Sequence, residues 1–115
     1  MYLVYDTRES CVEPFIKTLF DGIACVRKQV TVGDYHICRR ADSAVVACVE
    51  RKTLPDFAAS FKDGRYLNSG KLLALRAKTG CQIYYFIEGP AFPRPDRKFA
   101  RIPYKCIQSA LTKLM

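Results

Sequence analysis

Three acids and a lysine are the residues of this chain most suited to chemistry. Asp34 follows Val32-Gly33 and precedes Tyr35. Fifteen positions after Tyr35 come Glu50, Arg51 and Lys52, and Asp56 stands four residues beyond Lys52. The run Val45-Val46-Ala47-Cys48-Val49 reads as a buried strand leading into Glu50. Side chains on a strand alternate, so Glu50 and Lys52 share one face and Arg51 takes the other. If the neighbouring strand delivers Asp34, that face offers paired carboxylates and an ammonium. Such a set suits metal-assisted phosphodiester cleavage. The carboxylates hold a hard divalent cation through oxygen, the cation lowers the pKa of water, and the lysine orients that water or offsets growing charge. A solvated, charged strand end would carry the same residue types, because an E-x-K triplet is common.

The elements that must position these groups follow from periodicity. Tyr2 to Tyr5 is a short, continuously apolar strand, as expected where both sheet faces are covered. Residues 9–21 read as a helix with Val12, Phe15, Ile16, Leu19 and Phe20 on a core stripe. A strand from Ile23 to Val30 ends near Gly33, where a small residue lets the chain turn before Asp34. Tyr35–Cys38 and Ala44–Arg51 form a hairpin. A helix from Leu54 to Phe61, capped by Thr53, breaks at Asp63-Gly64, and another runs from Arg65 to Lys78. Gln82–Glu88 is expected as a buried strand, and Ile102–Leu114 as a closing helix. This order predicts an α/β domain with a central mixed sheet flanked by helices on both faces. At 115 residues it is one domain with one core.

Composition narrows the partners. No apolar run approaches the roughly 20 residues that span a bilayer, and Asp6 arrives too early for a targeting segment. The six cysteines form no Cys-x-x-Cys pair and there is one histidine, so a zinc site is not expected. Cys25, Cys48 and Cys81 lie in or beside apolar runs and read as buried reduced thiols, which suits the nucleus or cytoplasm. Net charge is +8. Apart from Asp6, Glu9, Asp34, Glu50 and Asp56, six acids remain against seventeen basic residues outside Arg51 and Lys52. An acidic pocket on a basic surface fits a polyanionic partner. The segment Phe92–Arg101 carries Arg94, Arg97, Lys98 and Arg101 with two phenylalanines. It suits phosphate contact and base stacking, or else it is a connector whose aromatics tuck onto the core.

The pattern resembles the signature of the XPF family of structure-specific DNA endonucleases. Gly33-Asp34-Tyr35, then Glu50-Arg51-Lys52 and Asp56, is its centre. Asp6-Thr7-Arg8-Glu9 is similar to the family's opening Asp-x-Arg-Glu, and Ser60–Tyr66 to its Ser-x-x-Asp-Gly-Arg-Tyr. The likeness covers residues 3–89 and extends loosely to the compact nucleases of some large DNA viruses. Pro55 departs from the usual pattern, but a first helical turn accepts proline. The resemblance implies a restriction-endonuclease-like core. It implies cleavage of branched DNA (flaps, forks, junctions), as in repair and recombination, with magnesium as cofactor and manganese as its substitute. It assigns Asp34 and Glu50 to the cation with the Arg51 carbonyl, and Lys52 as the catalytic lysine. Asp6 is expected to complete the metal shell, and Glu9 and Arg51 to join the site. Arg8 and Arg65 are expected at DNA phosphates or at the site's acids. Asp56 is equally a helix-start residue, and His36 is read as incidental.

The resemblance also implies a homodimer through the C-terminal part. There Tyr104, Ile107, Leu111 and Leu114 form a stripe that Ala110 and Met115 widen, beside the apolar strand Ile83–Ile87. No helix-hairpin-helix module is expected within residues 1–115. Two other classes stay open to the sequence: a phosphodiesterase acting on a small nucleotide such as a cyclic dinucleotide, and a non-catalytic DNA-binding subunit.

Overall fold

The computed structural model describes residues 1–19, 22–62, 67–90 and 93–114. Five strands, β1 (Tyr2–Asp6), β2 (Cys25–Lys28), β3 (Tyr35–Cys38), β4 (Val45–Thr53) and β5 (Gln82–Glu88), form one sheet in the order β2-β1-β3-β4-β5. The outer pairs β1–β2 and β4–β5 are parallel, and β3 runs antiparallel to both of its neighbours. Parallel neighbours need crossovers. Helix α1 (Glu13–Leu19) supplies the first, and α2 (Leu54–Lys62) with α3 (Leu67–Thr79) the second. A two-stranded ribbon, β6 (Lys98–Phe99) and β7 (Ile102–Pro103), precedes α4 (Tyr104–Leu114). The expected mixed sheet flanked by helices is what the chain forms.

Strand alternation divides the core. One face presents Leu3, Tyr5, Tyr35 and Ile37 beneath Val12 and Ile16. The other presents Val4 and Cys48, with Leu72 of α3 and Cys81 packed on Cys48. A third cluster, beyond the β5 end of the sheet, joins Leu54, Phe57 and Ala58 of α2 to Phe99, Ile107 and Ala110. Thr53 caps α2 as expected, accepting the Asp56 N–H at 3.2 Å.

Several expectations are corrected. Helix α1 begins at Glu13 rather than at residue 9. Pro14 has no N–H, so it is accommodated in a first turn and not farther in. Phe15 is not core: it is 62% exposed. Strand β2 stops at Lys28, because the Val30 N–H is drawn to the Asp6 carboxylate. Strand β5 lies at the sheet edge and is buried on one side only, leaving Tyr84 and Phe86 more than half exposed. Among the thiols, Cys48 and Cys81 are buried but Cys25 is only half-buried. The segment before α4 is not a plain connector, for it holds the β6–β7 hairpin. Ala110 is buried and widens no surface. The break at Asp63-Gly64, Arg65, Phe92 and the side chains of Leu19, Phe20, Leu111, Leu114 and Met115 lie outside the described residues.

Candidate active site

The approach to Asp34 is a turn that only glycine fits. Gly33 has φ +76°, and a Cβ there would overlap Cys48 Sγ and lie 3.3 Å from the Val49 carbonyl. The turn then ties Asp34 between two strands. Its N–H donates to Val49 O at 2.9 Å, and its carbonyl accepts the Asp6 N–H at 2.9 Å. Asp34 Oδ2 accepts the Arg51 N–H at 2.7 Å. Glu50, 9% exposed, is the residue before that donor. The two carboxylates consequently line one polar cleft of about 130 Å³, together with Arg8, Thr31, Val32, Gly33, Lys71 and Leu72.

Asp6, expected in the metal shell, is not among the residues that line the cleft. It is 1% exposed. Oδ1 accepts the Val30 N–H at 2.7 Å and Oδ2 the Arg8 N–H at 3.1 Å, and Oδ2 also pairs with the Arg8 guanidinium. The Val30 N–H foremost, then Arg8, holds its pKa down to about 2. A carboxylate with its oxygens so occupied stands behind the cleft and tethers Arg8, whose exposed side chain fronts it. Asp6 in turn raises the Arg8 pKa, with Asp34 and Glu50 adding to the effect.

Lys52 keeps the face of Glu50. Its Nζ donates to Ser60 Oγ on α2 at 2.7 Å, and the Ser60 hydroxyl donates to the Asp56 carbonyl at 2.9 Å. It is not among the residues that line the cleft. Asp56 itself sits in the first turn of α2, its side chain exposed.

Glu9 and the Arg51 side chain are not brought into the cleft, because alternation sends Arg51 through the sheet. Arg51 Nη1 lies 3.6 Å from Glu9 Oε2, and Nε lies 2.8 Å from Glu88 Oε1 as a charge contact without hydrogen-bond alignment. Burial works against the Arg51 charge, yet Glu9 and Glu88 outweigh it and its pKa is raised. Tyr35 donates to Glu9 Oε2 at 2.9 Å. Burial first, then Glu9, pushes the phenol far above its ordinary range, so it stays a neutral donor. Tyr35, Arg51 and Glu88 border an apolar groove of about 530 Å³ that Phe15 and Phe86 also line.

The remaining candidates are scattered. His36 Nε2 is 2.7 Å from the Val32 carbonyl and braces the turn. Arg94, Arg97, Lys98 and Arg101 are exposed around the β6–β7 hairpin. Phe99 tucks onto the core: it is 7% exposed within the third cluster, with the Arg97 guanidinium 5.0 Å from its ring centroid. Lys71 was not anticipated. A lysine on a helix surface carries no sequence signal of its own.

Metal chemistry can be tested against the donors present. Among the described residues, no three His, Cys, Asp or Glu side chains gather as a ligand set. Among the described residues that line the cleft, Asp34 and Glu50 contribute its carboxylate oxygen. Hard oxygen from two carboxylates fits a cation such as magnesium, which keeps several waters and takes few protein ligands. It does not fit a soft or fully dehydrated metal.

The chain is similar to known proteins over nearly its whole length. The ERCC4 domain matches residues 5–115. The ERCC4 domain-containing protein EP364R of African swine fever virus, from a Namibian warthog isolate, is 48% identical across 99% of this chain and 34% of its own length. Its counterpart in the Badajoz Vero-adapted strain is 47% identical across 99% and 34%. This chain thus spans about a third of these relatives. Two solved structures share the fold. XPF from Aeropyrum pernix has a TM-score of 0.70 and 29% identity, over 99% of this chain and 48% of its own. The same protein in complex with DNA has a TM-score of 0.69 and 30% identity, over 98% and 50%.

Proposed function

Because this chain belongs to the ERCC4-domain family of XPF-type nucleases, we propose that it cleaves DNA in the Asp34–Glu50 cleft, hydrolysing phosphodiester bonds near branch points with magnesium as cofactor. The observation that carries the reading is the convergence of both carboxylates in one polar cleft within a strongly basic chain. Asp34 and Glu50, with the Arg51 carbonyl, would hold the cation, and manganese would serve in its place. A divalent cation bound there supplies Lewis acidity toward the phosphoryl oxygens and makes water acidic enough to attack near neutral pH.

The chain's own groups do the rest. Arg8, fixed by Asp6, offsets phosphate charge at the mouth. Lys52 Nζ, held by Ser60, orients the attacking water or meets charge on the leaving oxygen. Among the described residues no helix resembles a base-reading helix, so phosphate contact and DNA shape select the site. The reading includes a two-fold homodimer, supported by the exposed Tyr84 and Phe86 on edge strand β5. The deciding experiment is single-turnover cleavage of a labelled flap DNA. Asp34→Asn and Glu50→Gln should abolish cleavage while keeping DNA affinity within a few-fold. Wild-type-like turnover by Asp34→Asn in magnesium, at saturating DNA, refutes the assignment.

A further inference from the structure

Lys71 stands over the cleft because its neighbour is anchored. Leu72, 1% exposed, packs on Cys48 and Cys81. That fixes this turn of α3 against the face of β4 from which Glu50 projects. Lys71, next in the chain, joins Arg8, Asp34 and Glu50 in lining the cleft.

A charge count says what it does there. Two carboxylates and one divalent cation cancel, and each incoming phosphate adds one negative charge. Arg8 is already paired with Asp6. Lys71 lines the cleft beside Arg8 and makes no ion pair among the described residues, so its charge is available to meet a phosphate. We infer that Lys71 binds a non-bridging oxygen of the phosphodiester seated in the Asp34–Glu50 cleft, as a substrate-binding residue. This rests on the nuclease reading above.

The test compares Lys71→Ala and Lys71→Arg with Lys78→Ala, an exposed lysine in the last turn of the same helix. Two readouts are taken: the salt dependence of binding to a flap oligonucleotide, and the single-turnover cleavage rate below saturation. Loss of Lys71 should lower the log–log salt slope by about 0.9 and slow cleavage about tenfold or more. Lys71→Arg should restore the slope, and Lys78→Ala should change neither readout. A Lys71→Ala protein with wild-type slope and rate overturns the inference while leaving the nuclease reading intact. If the wild type cuts no DNA with magnesium or manganese, the nuclease reading fails instead. The slope comparison then still decides whether Lys71 meets a phosphate.

Discussion

Gly33→Ala should damage both stability and cleavage, and the structure says by how much and through which atom. At φ +76° an alanine pays the left-handed backbone penalty of about 1–2 kcal/mol. Its Cβ would also press on Cys48 Sγ, which is fully buried against Leu72 and Cys81 and has nowhere to move. Overpacking of that kind costs about 1–3 kcal/mol. The stiffer unfolded chain returns about 0.4–1 kcal/mol. The net expectation is a loss of about 1–4.5 kcal/mol, a large share of the roughly 5–15 kcal/mol of a typical domain. Urea unfolding at constant m-value measures it. Cys48→Ala removes the obstacle but not the backbone penalty, so the double-mutant cycle should show a coupling of about 1–3 kcal/mol. Because Asp34 N–H is tied to Val49 O, a displaced turn carries Asp34 with it, and cleavage by Gly33→Ala should fall further than folding explains. A single-mutant cost below about 0.5 kcal/mol would refute the tight turn. Additive mutants would refute the sulfur as the obstacle.

Four further outcomes are expected. Ser60→Ala removes the acceptor that holds Lys52, and should slow single-turnover cleavage about tenfold with DNA affinity unchanged and partial rescue by Ser60→Thr; an unchanged rate would leave Ser60 no positioning role. Asp6 has its pKa lowered from 3.8 to about 2, so its contribution to stability is complete above about pH 4 and is lost as pH falls through that window; Asp6→Asn should flatten the acid limb of urea midpoints measured from pH 6 to pH 2, and a parallel limb would refute this. Arg97→Ala with Lys98→Ala should reduce the salt slope of DNA binding by about 0.9 for each phosphate contact removed, and an unaltered slope takes the β6–β7 hairpin off the DNA path. Light scattering at tens of micromolar should give twice the 13.1 kDa chain mass, reduced by Phe86→Lys, whereas a clean monomer in the wild type would refute the dimer.

The sheet and the centre of the site were legible because strand alternation is a rigid rule. It put Glu50 and Lys52 on one face and Arg51 on the other, and it is why the Arg51 side chain could not share the cleft. Apolar spacing was a poorer guide at edges. Phe15 obeys helical periodicity yet borders an open groove, and the run Ile83–Ile87 is apolar on both sides although only one is covered. The hairpin at Lys98–Pro103 gave no turn signal, because Ala100 and Arg101 take φ +48° and +68° without glycine or asparagine. Asp6 was legible as a strand-end acid beside other acids, but its hydrogen bonds from Val30 and Arg8 were not. Lys71 was invisible for a related reason: its place depends on where Leu72 packs, a tertiary fact with no local trace.

The division of Glu50-Arg51-Lys52 between two faces has an evolutionary reading. Three adjacent codons answer to two separate selections, one for the chemistry of the cleft and one for the ion pairs to Glu9 and Glu88. In a lineage where the proposed cleavage is lost, the first of these selections lapses for Glu50 and Lys52. The ion pairs of Arg51 with Glu9 and Glu88 remain under the second. The middle letter of the triplet should therefore outlive its neighbours in inactive descendants, and should change only in company with residues 9 and 88.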